Sequence, residues 1–367
     1  MKTRYFFIFP ALFTCVCLPS CKTTKHSIGQ QETEPKVHAE MYLKSKTPQD
    51  GYVYHEAEGK QFYMKPVTEQ TFYPGDDSYH MMHHHGVAFE SELMAYRIYF
   101  DKKQTIDVYA KRTPRMEIAA CTWYPDDKQL AQGFGDDVLR VSGWIGVGSC
   151  KPFSDGKMRH FDDVLARTQR IVTVAPDHVV CEVEDSLWLA PDGKRYNVTT
   201  RYTLYAAQRD VCAEVFLSLP TSTTIVQQDT LPQLCTGVQN IGIDCKVGSY
   251  INHKKSRTVT TWGTAFPVND TVKYAKETVG LAACVPYPYA GKTTHDKNNQ
   301  LILLNLLPMS VQQREEIPHL SPLHSKAGNV FYARYHFTVV AQKEINPPCS
   351  TPQDFSTFVQ RWEQTLE

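Results

Sequence analysis

Four histidines stand close together in this sequence, directly before a glycine. They are His80, His83, His84 and His85, and Gly86 follows them. Histidine changes its charge near neutral pH, and its neutral ring is a frequent metal ligand. The run is internal, whereas expression tags are placed at chain ends, so we interpret it as part of the fold. The cluster indicates proton-transfer or metal-binding chemistry.

A β-hairpin is predicted directly after this run. Segments 95–100 and 104–109 both alternate between apolar and polar residues, and a turn-like Asp-Lys-Lys separates them. Successive side chains of a strand point to opposite faces, so Tyr96 shares one face with apolar neighbours, and Arg97 and Tyr99 share the other. We therefore expect Arg97 and Tyr99 to converge on one ligand.

Two carboxylates, Glu90 and Glu92, lie between the histidines and the hairpin. They share a face if they belong to one strand, and could then orient the histidines. A buried ion pair between Arg97 and one of these glutamates is the structural alternative. A divalent metal bound by His83, His85 and one glutamate is another alternative, although the chain has no HExxH or comparable spacing. No cofactor is otherwise indicated.

The N-terminus predicts a targeting segment. Lys2 and Arg4 precede an apolar stretch at 5–16, and Leu-Pro-Ser-Cys ends at Cys21 in a pattern that resembles a bacterial lipobox. The apolar stretch is too short to span a membrane. We therefore predict that residues 1–20 form a lipoprotein signal peptide and that Cys21 carries the lipid.

The rest of the chain divides into a tether and one domain. Residues 21–46 are mostly polar, lack periodicity and predict a flexible tether. Residues 47–367 are long enough for a single large β domain. The expected location is the bacterial cell envelope, on the periplasmic or surface face of the outer membrane. The lipid anchor is the only membrane contact that we expect.

The composition excludes one class of partner and favours another. The chain has 39 basic and 39 acidic residues, and this zero net charge argues against nucleic-acid binding. The 20 tyrosines and 17 phenylalanines suit β-structure and sugar-stacking surfaces. Eight cysteines follow Cys21 without CxxC spacing. Disulfides are permitted in an exported protein, and their pairing stays open.

The pattern of segments predicts the fold class. Short stretches rich in Val, Tyr, Phe and Thr recur between Gly, Pro, Asp and Asn residues, which indicates a large antiparallel β-sandwich. The strongest strand of the C-terminal half is 329–341, where Arg334 and His336 share a face and could reach the histidine cleft. A closing helix is predicted from Pro352 onward, with Phe355, Phe358, Trp362 and Leu366 on one stripe.

Four segments resemble a known family. The sequence from His83 to Asp101, together with segments 104–109, 133–139 and 202–206, resembles the signature of the domain of unknown function 4861. Members are typical of Bacteroidetes lipoproteins and secreted proteins in polysaccharide-utilisation loci. The resemblance implies a β-supersandwich similar to the galactose-mutarotase fold. It also implies action on glycans, because at least one member resembles a dehydratase of a terminal uronic acid.

The resemblance implies β-elimination on uronic-acid-containing glycans, by a lyase or dehydratase. Such a reaction needs a base for the C5 proton, a group that neutralises the uronate carboxylate, and an acid for the leaving oxygen. We expect His84 or His85 as the base, Arg97 on the carboxylate, and Tyr96 or Tyr99 as the acid. The further candidates for substrate binding are His83, Glu90, Glu92, Arg334 and His336.

Two other functions stay open. A glycoside hydrolase would need paired carboxylates across a cleft, for which Glu90, Glu92 and Asp107 are the local candidates. A non-catalytic glycan-binding lipoprotein would also suit the aromatic composition and the predicted anchor. In each case the expected partner is an oligosaccharide or polysaccharide.

Overall fold

The computed structural model describes residues 36–57, 60–121, 125–220, 231–252, 255–269, 271–272 and 274–366. The predicted signal peptide and Cys21 lie outside these residues. The strands in chain order are β1 (Val37–Glu40), β2 (Tyr42–Ser45), β3 (Val53–Ala57), β4 (Lys60–Pro66), β5 (Glu69–Phe72), β6 (Gly86–Ser91), β7 (Met94–Tyr99), β8 (Ile106–Ala110), β9 (Asp136–Asp137), β10 (Lys151–Ser154), β11 (Lys157–Met158), β12 (Ala166–Val174), β13 (His178–Leu189), β14 (Arg195–Tyr205), β15 (Val211–Ser218), β16 (Leu234–Gln239), β17 (Lys246–Asn252), β18 (Ser256–Ala265), β19 (Glu277–Pro286), β20 (Ala290–His295), β21 (Asn299–Leu304), β22 (Leu307–Pro308) and β23 (Val330–Ala341).

Short helices connect some of these strands. They are α1 (Ser78–Met81), α2 (Asp127–Ala131), α3 (Val311–Glu315), α4 (Pro322–Ser325) and the longer α5 (Pro352–Glu363). Two 3₁₀ turns, His83–His85 and Ile118–Ala120, complete the helical segments of the described chain. None of the helices in the described ranges is long and apolar enough to cross a membrane.

The strands form four sheets. The large sheet has ten strands in the order β17-β18-β19-β23-β15-β14-β13-β12-β5, with β22 beside β23. The N-terminal sheet has the order β1-β6-β7-β8-β9, and two further sheets have the orders β11-β10-β16-β21-β20 and β2-β4-β3. The pairs within them are antiparallel. The predicted class, mainly β with antiparallel sheets and a C-terminal helix, is confirmed.

The N-terminal sheet and the large sheet pack face to face around one core. Alternate residues of each strand point inward, as the period of two requires. Tyr96 of β7 and Phe337 of β23 are both fully buried, and their rings lie 5.5 Å apart. Their neighbours Arg97 and His336 therefore lie on the outer faces of the two sheets. These outer faces point away from each other.

The predicted hairpin is confirmed as β7 and β8. Tyr96 pairs with Val108 and Arg97 pairs with Asp107 in its register. The apolar face of β7 enters the core, and Arg97 and Tyr99 lie together on the outer face. Residues 100–105, which include the polar Asp-Lys-Lys segment, connect the two strands.

The predicted tether is wrong in its last part. Residues 37–40 form β1, which pairs with β6, and residues 42–45 form β2, which pairs with β4. These strands have only four residues each, and their polar composition gives no clear alternation. Their pairing comes from the sheet edges that they meet, which lie distant in the sequence.

The predicted C-terminal helix is confirmed as α5. Thr351 caps it by accepting a hydrogen bond from the backbone N–H of Asp354, and Pro352 occupies the first turn. Phe355 and Trp362 are buried against the outer face of the large sheet, where the Phe355 and Trp262 rings lie 5.4 Å apart. The helix covers one end of that face.

Eight cysteines of the described chain are free thiols. Six of them are buried, and Cys212 and Cys245 are half-buried. Burial raises the pKa of each thiol, as for Cys181 in the core. These cysteines therefore act as small apolar side chains.

Candidate functional site

The histidine run forms a strained turn at the edge of the N-terminal sheet. His84 and His85 have φ values of 54° and 59°, in the left-handed region that non-glycine residues rarely adopt. Gly86 follows with φ 156°, and a Cβ atom there would lie 2.0 Å from the carbonyl oxygen of Ile98. Because of this turn, the three consecutive rings have different contacts. Such strain persists only where surrounding contacts hold it.

His84 is held by a carboxylate from β1. Its Nε2 lies 3.0 Å from Oε1 of Glu40, and His38 Nε2 lies 2.9 Å from Oε2 of the same residue. Burial acts to raise the pKa of Glu40, but hydrogen bonds from His38 and His84 outweigh it and bring that pKa to about 2. Burial lowers the pKa of His84 despite this carboxylate. Glu40 therefore stays ionised between two histidines.

His83 joins the same group. Its ring centroid lies 3.9 Å from that of His84, and it contacts Tyr42 edge to face. Ligand atoms of Glu40, His83 and His84 all lie within 4.8 Å of one another, and all three residues are buried. Within the described ranges they are the group that could hold a metal ion. We call Glu40, His83 and His84 the Glu40 triad.

His85 points elsewhere and packs between tyrosines. It stacks on Tyr79 with ring centroids 3.8 Å apart, and its Nδ1 donates to the Tyr79 carbonyl at 2.8 Å. This bond fixes the tautomer and leaves Nε2 as an acceptor. Burial lowers the pKa of His85, so the ring is neutral at pH 7. It does not join the Glu40 triad, contrary to the metal set predicted from the sequence.

Arg97 is engaged by two aspartates. Its Nε and Nη2 donate to the carboxylate of Asp107 at 2.9 and 3.0 Å, and Nη2 also donates to Asp137 at 2.9 Å. The Tyr99 hydroxyl donates to Asp107 at 2.7 Å. We call these four residues the Arg97 network. The ion-pair alternative was right in kind, but its predicted partners Glu90 and Glu92 were wrong.

Glu90 and Glu92 each accept hydrogen bonds from backbone N–H groups outside the strands. Glu90 is fully buried, accepts hydrogen bonds from the backbone N–H groups of residues 117 and 118, and lies 2.5 Å from Nζ of Lys111. Glu92 lies beyond the end of β6 and accepts from the N–H of Ala207 at 2.8 Å. Neither glutamate faces a histidine of the run, so neither orients the cluster.

Tyr96 lies in the core and not with Arg97. Its ring packs against Phe89 and Phe337, and its hydroxyl donates to the carbonyl of Arg209. Burial raises the pKa of this phenol far above its usual range. A side chain in this position has no route to a substrate, so we withdraw Tyr96 as a candidate acid.

A second group of reactive side chains lies on the outer face of the large sheet. Glu214 of β15 is paired with Arg334 of β23, and their neighbours in the register are Cys212 with His336 and Phe216 with Tyr332. Alternation places these side chains on one face, opposite the core residues Ala333 and Tyr335. We define the Arg334 cluster as Glu214, Tyr289, Tyr332, Arg334 and His336.

The members of the Arg334 cluster are half-buried and interact electrostatically. The Tyr332 hydroxyl donates to Glu214 at 2.8 Å, and the ring of Tyr289 meets that of Tyr332 edge to face at 5.4 Å. Burial, followed by the charge of Glu214, raises the pKa of Tyr332. Burial and the nearby positive charge of Arg334 lower the pKa of His336 to about 4. At pH 7 the cluster thus offers a cation, a neutral imidazole and a protonated phenol.

Paired charges and two covering segments border this cluster. Arg201 on the adjacent strand donates to Glu182 at 2.7 Å and to the carbonyl of Pro318 at 2.9 Å. The α3–α4 segment covers this side through His324, whose Nε2 lies 2.8 Å from the Thr199 hydroxyl. Helix α5 covers the other side. The Arg334 cluster lies between the two covers.

The sequence had suggested that Arg334 and His336 reach the histidine cleft, but they do not. They share a face with each other, but the core separates that face from the outer face of the N-terminal sheet. Sequence reasoning also missed Glu214, Tyr332 and Glu40. For Tyr332 the signal was the polar residue at every second position of β23, from 332 to 338. In β15 the apolar Phe216 interrupts this pattern next to Glu214. Glu40 gave no such signal within the predicted tether.

The architecture is that of a mainly β protein with antiparallel sheets and two groups of titratable residues on opposite faces. The chain belongs to the family described as Domain of unknown function (DUF4861), whose profile matches residues 11–367. No curated protein matches the chain.

Proposed function

We propose that this protein is a carbohydrate-active lyase or dehydratase that acts on uronic-acid-containing glycans by β-elimination at the Arg334 cluster. The observation that supports this proposal is the meeting of Arg334, His336 and the Tyr332–Glu214 pair on one half-buried sheet face. A catalytic base must reach the proton that it removes. The half-buried cluster meets this condition better than the buried Glu40 triad and Arg97 network.

Substrate binding follows from charge and shape. Arginine suits a uronate carboxylate because its planar donors match the two oxygens. Tyr289 adds an aromatic face of the kind on which sugar rings pack. Arg97 is a weaker candidate for this role, since two aspartates already balance its charge.

The chemistry can be written with the residues of the cluster. Arg334 neutralises the carboxylate and so acidifies C5. His336 accepts the C5 proton, the C5–H electron pair forms the C4–C5 double bond, and the C4–O bond breaks. Tyr332 donates its proton to the leaving oxygen, which departs as water or as an alcohol. Bound carboxylate also offsets the charge of Arg334, which raises the low pKa of His336 toward the range of an effective base.

The experiment measures the ultraviolet absorbance of the conjugated double bond on oligosaccharides that end in uronic acid. We expect wild type to produce this absorbance and Arg334→Ala, His336→Ala and Tyr332→Phe to lose it. Tyr73→Phe, at an exposed tyrosine of another surface, is the matched control and should retain activity. Activity that survives in all three cluster variants would contradict the proposal.

The same assay separates the alternative functions. Reducing sugar released without the absorbance would favour a glycoside hydrolase. Binding by calorimetry without turnover across the oligosaccharides would favour a glycan-binding protein. The local hydrolase candidates Glu90 and Asp107 are both buried in ion pairs, which argues against a hydrolase at the N-terminal sheet.

We also propose that a lipid on Cys21 anchors the protein to the cell envelope. The support is the sequence alone: the basic start, the apolar stretch and the Leu-Pro-Ser-Cys segment. Expression of Cys21→Ser should abolish incorporation of labelled fatty acid and move the protein out of the membrane fraction. Unchanged labelling would contradict the anchor.

A further inference from the structure

We propose that the Glu40 triad is a binding site for a divalent transition-metal ion, with zinc as the best fit. The site is separate from the Arg334 cluster and does not depend on the elimination chemistry. Its donors are two imidazoles and one carboxylate, a set that zinc uses when it keeps a fourth position open. It differs from the set that the sequence suggested, because Glu40 takes the place of Glu90 or Glu92, and His84 takes the place of His85.

The spacing of the donor atoms suits one ion. His84 Nε2 and Glu40 Oε1 lie 3.0 Å apart. Two ligands on a tetrahedral zinc ion, with bonds of about 2.0–2.1 Å, are separated by roughly 3.3 Å. For this pair, an ion that replaces the shared proton needs an adjustment of only a few tenths of an ångström, and the His83 ring must move closer to complete the set. The ligand atom of His83 lies within 4.8 Å of both.

The surroundings hold the donors in place. His38 binds the second oxygen of Glu40 at 2.9 Å and so orients the carboxylate, as outer-shell partners of metal ligands do. The left-handed backbone of His84, and the packing of its ring against that of His83, bring two consecutive side chains toward one carboxylate. This is backbone strain at a place where side-chain direction matters.

The carboxylate of Glu40 is the negative charge of this site. It offsets the positive charges of Arg97 and Lys44, which also act on His83. A cavity of about 530 Å³ is lined by His38, Glu40 and Tyr42 among other residues. The cavity therefore reaches Glu40 of the triad and its partner His38.

The experiment loads the chelator-treated full chain with zinc alone and measures stoichiometry by elemental analysis and affinity by calorimetry. We expect one zinc per wild-type chain, which Glu40→Gln and His84→Ala lose. His38→Ala should weaken affinity by about 10–100-fold, as for an outer-shell partner. The matched control is His80→Ala, since the His80 side chain is 71% exposed and belongs to the same run.

Thermal unfolding keeps the test decisive if a variant folds poorly. Zinc should raise the unfolding temperature of wild type and of His80→Ala, but not that of Glu40→Gln, which preserves the shape of the side chain. Cobalt in place of zinc should give the intense visible absorption of a tetrahedral site. Absence of bound zinc in wild type, or equal zinc binding by Glu40→Gln and His84→Ala, would overturn the proposal.

Discussion

The outer faces of the two packed sheets carry the same kinds of side chain and differ in how far those side chains are buried. On the N-terminal sheet, Arg97, Asp107 and Asp137 are buried and bind one another. On the large sheet, Arg334 and His336 are half-buried. The comparison teaches that residue type identifies reactive groups, while coverage decides whether a substrate can reach them.

The difference in coverage has a structural cause. The chain after β8 folds over the N-terminal sheet, and the N–H groups of residues 117 and 118 bind Glu90 on that face. The turn at 83–85 lies against β6 and β7 of the same sheet. On the large sheet, α5 and the α3–α4 segment cover the two sides and leave the Arg334 cluster between them.

The largest expected effect is the loss of stability in Arg97→Ala. The substitution leaves Asp107 and Asp137 buried without their cation, so we expect the free energy of unfolding to fall by about 3–5 kcal/mol. Arg334→Ala, on the half-buried face, should cost at most about 1 kcal/mol. Urea unfolding measures both values. Similar losses of stability for the two variants would contradict the difference that we describe between the two outer faces.

The next effect separates two tyrosines that both donate to carboxylates. Tyr332→Phe should lower the elimination rate by about 10²-fold if Tyr332 is the acid, with little change in stability. Tyr99→Phe should keep the rate and cost about 1–3 kcal/mol of stability, because buried Asp107 loses a donor. Steady-state kinetics and urea unfolding are measured on both. A rate loss confined to Tyr99→Phe would move the reaction to the N-terminal sheet.

A smaller effect concerns acid stability. The pKa of Glu40 falls from 4.5 to about 2 on folding. The unfolded chain therefore binds the proton first, so this stabilisation is present above pH 4.5 and is lost as pH falls toward 2. We expect Glu40→Gln to unfold with a weaker pH dependence across that window, by urea titration at several pH values. An unchanged dependence would show that the carboxylate is not held as described.

A related pH effect on stability concerns His336, on the outer face of the large sheet. His336 has a lowered pKa of about 4, so the unfolded chain takes up its proton first as pH falls below 6.5. This linkage reduces stability between pH 6.5 and about 4, and His336→Gln should remove that part of the dependence. His80→Ala is the smallest change: at an exposed histidine we expect less than about 0.5 kcal/mol at any pH in this range.

The fold was predictable where local pattern and tertiary structure agree. The alternation in β7 and β8 and the stripe of α5 each come from burial of one face, so the sequence shows them directly. Strands β1 and β2 were missed because four-residue edge strands have too few residues for a pattern. Their existence depends on the edges of β6 and β4, and no local signal encodes this.

The sequence predicted which residue types form the candidate sites better than it predicted which residues contact one another. The histidine run and Arg97 stood out, but their partners Glu40 and Asp137 are 44 and 40 residues away in the chain. The prediction of Tyr96 as a candidate acid was wrong because one face of the hairpin packs into the core. Glu214 and Arg334 meet only because β15 and β23, far apart in sequence, are neighbours in the sheet.

The buried cysteines have a practical consequence for following the motions of the protein. Cys181, Cys235 and Cys284 lie on different strands with at most 1% exposure, and burial raises the pKa of each thiol. A thiol-alkylating reagent can react with them only while the surrounding strands are open. The labelling rate of each cysteine therefore reports the opening of its own part of the β-structure, without any engineered probe.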